Sequence, residues 1–202
     1  MNNIDCISGN KSVALAAKLA RVEVVPTYPI TPQTTIIEYL ADYVSKGELD
    51  AEYIHSDGEH SCMGMALGAS LAGARVFTST SSQGLAYMHE VVAQAPSLRT
   101  PVVMAVVNRS LGWYWSIGPD YSDVAPELNL GWLCCFAESN QECLDTILQL
   151  YKIAEDKRVL LPAMLNLDGF YLSYSYEKVI IPEQDKVDSY LEKYNALYPI
   201  DP

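Results

Sequence analysis

The sequence predicts an α/β fold, a parallel β-sheet flanked by helices on both faces. Two observations carry that expectation. Six short apolar runs of strand length recur along the chain, and the stretches between them place apolar residues at i, i+3 and i+4. Strands that alternate with helices build parallel sheets, because each helix returns the chain to the same end of the sheet.

The elements follow in order. "KSVALAAKLARV" at 11–22 has helical spacing and leads into the first strand, "VEVVPTY" at 22–28. "QTTIIEYLADYV" at 33–44 repeats the helical pattern through Ile36, Ile37, Leu40 and Val44, and "AEYIHS" at 51–56 is the second strand. The helix "HSCMGMALGASLAG" precedes the third strand, "ARVFTST" at 74–80, and the helix "GLAYMHEVVAQA" precedes the fourth, "PVVMAVV" at 101–107. "WLCCFA" at 132–137 and "LLPAML" at 160–165 complete the set, separated by the helical "QECLDTILQLYKIAEDK". After Gly169 the periodicity decays into a tyrosine-rich stretch with two late prolines, expected to be an arm packed on a neighbour and ending in a linker. The expected division is therefore residues 1–170 as one α/β domain and 171–202 as arm and linker. The close of the chain at "YPIDP" is expected to be a point where a longer protein is split or cut.

Composition narrows the function classes. Of 202 residues half are hydrophobic, enough for one good core. Thirteen basic against twenty-five acidic side chains give a formal charge of -12, which repels phosphate backbones and anionic lipid surfaces. Nucleic acid and membrane are thus not expected as partners. With no basic segment leading into an apolar leader and no uncharged run near the ~18 residues of a spanning helix, a cytoplasmic protein is expected. Five cysteines without a C-x-x-C pair spell out neither a disulfide framework nor a metal cluster, and His55, His60 and His89 lack the spacing of a helical metal pair. No metal site is expected in this chain.

In parallel sheets ligands sit beyond the carboxyl ends of the strands. The residues there are Thr31 after the first strand, Glu59 after the second, Ser81 to Gly84 after the third, and Asn108 and Arg109 after the fourth. Each has two readings. Thr31, in "YPITPQTT", is held between two prolines, either as a helix cap or as a hydroxyl fixed for chemistry. Glu59 is either a first-turn charge favoured by the helix macrodipole or a carboxylate facing a dry cleft under the apolar "HSCMGMALGA". Arg109 is either a surface ion pair or a fork for a carboxylate. "SSQG" is either a plain helix start or a set of backbone N–H groups offered to a polar ligand.

The blocks "YPITPQ", "GEHSCMGMALGASLAGARVFTSTSSQGLAYMHE", "VVNRSL", "DYSD", "ESNQECLDTILQLYKIAED" and "LDGFYLSY", in that order, resemble the pyrimidine-binding domain of 2-oxoacid:ferredoxin oxidoreductases. The likeness is to the alpha chain of the pyruvate:ferredoxin type and spans roughly residues 8–202. It implies a thiamine diphosphate-binding fold, and a subunit of an enzyme that oxidatively decarboxylates a 2-oxoacid such as pyruvate to acyl-CoA, passing electrons to ferredoxin. It also implies residue roles. Thr31 looks like the hydroxyl beside the 2-oxoacid and the thiazolium, with Pro29 and Ile30 next to it against the cofactor. Glu59 looks like the carboxylate that engages the aminopyrimidine, and Arg109 like the guanidinium that receives the substrate carboxylate.

Thiamine enzymes of this kind hold the diphosphate through a divalent metal on a G-D-G motif, and "SDGEH" at 56–60 is not that motif. The resemblance therefore implies half a site, completed by a partner subunit that carries the diphosphate-binding domain and Mg2+. Iron–sulfur clusters and the coenzyme A module are implied in partner chains as well. Two departures from the family stand out. "GWYW" places Trp113, Tyr114 and Trp115 where relatives have smaller residues, either reshaping the acyl pocket or filling a subunit interface. "PELNLGW" at 126–132 lacks the arginine and aspartate that usually precede Gly131, so a structural ion pair is expected to be lost. The alternatives are half of a non-oxidative thiamine decarboxylase or transketolase-like enzyme, and a non-catalytic assembly subunit.

Overall fold

The computed structural model describes residues 3–112, 116–197 and 199. Four strands form a parallel sheet in the order β4 (Phe77–Thr80), β5 (Val103–Asn108), β7 (Ala163–Asp168), β6 (Leu133–Phe136). A parallel pair, β2 (Val24–Thr27) and β3 (Glu52–His55), lies beside β4. A bridge between Val24 and Val76, and the bond from Glu23 N–H to the Arg75 carbonyl at 2.8 Å, join the two sheets. The ladder breaks at Pro26, which brings no N–H. Thr78 covers the break, its hydroxyl donating to the Pro26 carbonyl at 3.0 Å. The six strands expected from the sequence are all present.

Alternation along β5 and β7 splits the core in two. Val103, Ala105, Val107, Leu165 and Leu167 face one side and pack on α1 (Gly9–Leu19), α2 (Thr34–Ser45) and α5 (Asn140–Ala154). Met104, Val106 and Met164 face the other side, against α3 (Glu59–Leu71) and α4 (Ser82–Gln94). The sheet is thus covered on both faces, as its near-continuous apolar strands require. Helix starts are capped locally: Ser8 Oγ accepts from Lys11 N–H on α1, and Ser139 Oγ accepts from Glu142 N–H on α5.

Four elements were not expected. β1 (Asn3–Ser8) pairs antiparallel with β8 (Tyr176–Ile181), and α6 (Tyr171–Tyr174) and α7 (Gln184–Leu191) stand before and after β8. The stretch after Gly169 is thus regular rather than aperiodic. Its signal is weak because these elements bury little: α7 inserts only Val187 and Leu191, and in β1 only Ile7 and Ser8 are buried. Below the sheet, Arg75 donates to both Glu155 oxygens at 2.6 Å and to the Ala20 carbonyl at 2.6 Å, joining the start of β4 to the ends of α1 and α5.

Candidate functional site

The loop after β2 is anchored by side chains as well as stiffened by prolines. Gln33 Nε2 donates to the Ser79 carbonyl and hydroxyl at 3.0 and 2.6 Å, and Asn10 Nδ2 donates to the Pro32 carbonyl at 2.8 Å. The Thr31–Pro32 peptide is cis. Thr31 itself is exposed, as is Pro29, while Ile30 is half-buried. The N-cap of α2 is Gln33, without a side-chain cap bond, so Thr31 does not cap the helix.

Arg109 follows β5 and reaches back to this loop. Its Nη1 donates to the Thr31 carbonyl at 2.6 Å, and its Nη2 donates to Gln83 Oε1 in the first turn of α4. The guanidinium pKa is pushed down by burial, against the pull of the nearby Asp123 and Glu59 carboxylates. The Arg109 backbone is fixed independently. Asp123, 1% exposed, accepts from the N–H groups of Arg109 and Ser82 at 3.0 Å, from Val124 N–H at 2.8 Å and from Asn108 Nδ2 at 2.9 Å. Burial raises the Asp123 pKa, and the four hydrogen bonds oppose the rise. Ser82 adopts φ +44°, with its hydroxyl 2.6 Å from the Ser110 carbonyl.

Glu59 opens α3 and is half-buried. Its side chain lies over Gly84 in the first turn of α4: a Cβ on Gly84 would stand 2.8 Å from both Cγ and Oε1 of Glu59. Of the apolar residues that follow, Cys62 and Met63 are buried and Met65 is 37% exposed.

Thr31 and Arg109 are therefore in direct contact, and Glu59 is close enough to Arg109 to act on it electrostatically. Gln83 and Asp123, which hold the arginine, were not assigned roles by sequence, although both fall in the quoted "SSQG" and "DYSD" blocks. Nothing local distinguishes Asp123 from the exposed Asp120. Trp113, Tyr114 and Trp115 lie outside the described residues. In "PELNLGW", Glu127 is buried and its carboxylate stands 2.8 Å from His89 Nδ1, so this segment carries a hydrogen-bonding contact of its own.

A family model described as "Pyruvate flavodoxin/ferredoxin oxidoreductase, thiamine diP-bdg" matches residues 15–202. Pyruvate synthase subunit PorA of Methanothermobacter thermautotrophicus is 53% identical over 196 residues, covering 97% of this chain and 51% of that protein. Ketoisovalerate oxidoreductase subunit VorA of Pyrococcus horikoshii is 46% identical over 194 residues, covering 96% and 49%. The chain thus spans about half the length of these curated relatives. Among solved structures, 2-oxoglutarate:ferredoxin oxidoreductase from Magnetococcus marinus, with 2-oxoglutarate, coenzyme A and succinyl-CoA bound, superposes with a TM-score of 0.79 at 26% identity, over 92% of this chain and 32% of that one. The chain belongs to the thiamine diphosphate-binding family of pyruvate flavodoxin/ferredoxin oxidoreductases.

Proposed function

We propose that this chain supplies the pyrimidine-side half of a thiamine diphosphate site in a multi-subunit 2-oxoacid:ferredoxin oxidoreductase, with pyruvate as the first substrate to test. The observation that carries the reading is the meeting of strand ends: Arg109 Nη1 stands 2.6 Å from the Thr31 carbonyl, with Glu59 acting on the same guanidinium. The lack of a side chain on Gly84 lets Glu59 lie close against the first turn of α4. Residues 1–170 form the pyrimidine-binding domain in this reading, and 171–202 its arm.

Thiamine diphosphate, when bound, supplies the electron sink for cleaving the bond between the carboxyl and 2-oxo carbons. Glu59 hydrogen-bonds the aminopyrimidine nitrogen and shares its proton. Arg109 presents its remaining N–H groups to the substrate carboxylate, which suits the guanidinium fork. Thr31 places its exposed hydroxyl beside the reacting carbon, and Pro29 and Ile30 border the cofactor. Among the described residues no group of three or more His, Cys, Asp or Glu side chains is gathered to hold a metal ion. In this reading the partner subunit brings Mg2+ and the diphosphate-binding domain, and other chains bring the iron–sulfur clusters that reduce ferredoxin. The complex works in the cytoplasm.

The test is turnover by the native complex. Pyruvate, branched and aromatic 2-oxoacids are each supplied with coenzyme A, and ferredoxin reduction is followed. Pyruvate-dependent reduction is expected. Carbon dioxide release without ferredoxin reduction would point to a non-oxidative enzyme, and no turnover of any 2-oxoacid to an assembly role.

A further inference from the structure

The last residue of β4 and the residue after it carry hydroxyls without partners. Thr80 Oγ1 and Ser81 Oγ are fully buried, and neither has a hydrogen-bond partner among the described residues. The two hydroxyls before them are satisfied: Thr78 donates to the Pro26 carbonyl at 3.0 Å, and Ser79 Oγ accepts from Gln33 Nε2 at 2.6 Å. An unpartnered buried hydroxyl destabilises the fold, and a valine would fill the same space on a strand without that cost. The position of Thr80 accounts for its hydroxyl. A Cβ on Gly84 would collide with Thr80 Oγ1 and would stand 2.8 Å from Cγ and Oε1 of Glu59, so the hydroxyl and the carboxylate border one small space. Gly84 lies within α4, in its first turn. Room is what the glycine provides there.

We infer that Thr80 is a positioning residue for Glu59: its O–H, unpartnered here, donates to one oxygen of the Glu59 carboxylate when the other oxygen engages the aminopyrimidine nitrogen. The inference rests on the role proposed above for Glu59. A carboxylate held by a second donor cannot rotate away from the ring. Threonine suits the task, because its branched side chain is stiff at χ1 and sets the direction of the hydroxyl.

The test uses the assembled complex with Thr80→Val, Thr80→Ser or Glu59→Gln. Three quantities are read: the thermal midpoint after removal of thiamine diphosphate, the calorimetric affinity for thiamine diphosphate, and exchange of its C2 proton by NMR after acid quench. Thr80→Val is expected to be at least as thermally stable as the parent and to retain the cofactor. Its C2 exchange is expected to slow roughly tenfold or more, as for loss of a hydrogen bond to a charged group. Thr80→Ser is expected to restore most of the rate. A Thr80→Val complex that exchanges at the parental rate, while Glu59→Gln is slow, overturns the inference. A midpoint that falls together with the rate also overturns it, because the hydroxyl would then be structural. Normal exchange in Glu59→Gln instead overturns the reading of Glu59 beneath it.

Discussion

Arg109 commits two of its N–H groups to the protein before any substrate arrives, one to the Thr31 carbonyl and one to Gln83. That arrangement orients the guanidinium and leaves donors free for an incoming carboxylate. Removing a charge-assisted partner of a buried carboxylate costs on the order of 1.5–3 kcal/mol. Arg109→Met in the assembled complex is therefore expected to raise the apparent KM for the 2-oxoacid by about one to two orders of magnitude, with thiamine diphosphate still bound. Thr31→Val should lower turnover by less. Equal loss of cofactor in the Arg109 variant, measured by calorimetry, would contradict the assignment. Glu59→Gln keeps the shape and a hydrogen bond but cannot share the proton, so turnover is expected to fall at least ~100-fold, the low end for positioned proton transfer. Of these residues, the placing of Thr31, Glu59 and Arg109 at strand ends was legible in the sequence, and the fold brings them together. Gln83, Asp123 and Thr80 were not legible, because their roles depend on partners brought together only by the fold.

At the scale of elements, legibility follows burial. The central strands β5 and β7 are nearly continuous apolar runs, so they stand out in the sequence, whereas β1 and α7 each bury only two residues. What ties α7 to the domain is partly electrostatic. Arg21 holds Asp188 through bonds of 2.7 and 2.8 Å, pulling its carboxyl from the ordinary 3.8 down to about 2. A lowered folded pKa contributes stability that is present above the unfolded value and lost as pH falls through the folded one. The difference in thermal midpoint between the parent chain and Asp188→Asn should thus be full above about pH 4 and shrink toward pH 2. A difference that does not change over that window would show that the pair does not act. Deeper in, Arg75 and Glu155 are 5% and 10% exposed. Arg75→Met would leave Glu155 buried without its partner, at a cost of about 3–5 kcal/mol in denaturant unfolding.

For the whole molecule, the proposed reading assigns to the strand ends a carboxylate for a ring, and a hydroxyl and a guanidinium for a 2-oxoacid, and nothing for the diphosphate. The chain spans about half of its curated relatives and 32% of the solved neighbour. The central claim is that the thiamine site is shared between chains. It is tested most directly by calorimetric titration of the purified chain, and separately of the assembled complex, with thiamine diphosphate and Mg2+. The account predicts saturable, tight binding by the complex and no tight binding by the chain alone. Micromolar binding by the chain without any partner would contradict it.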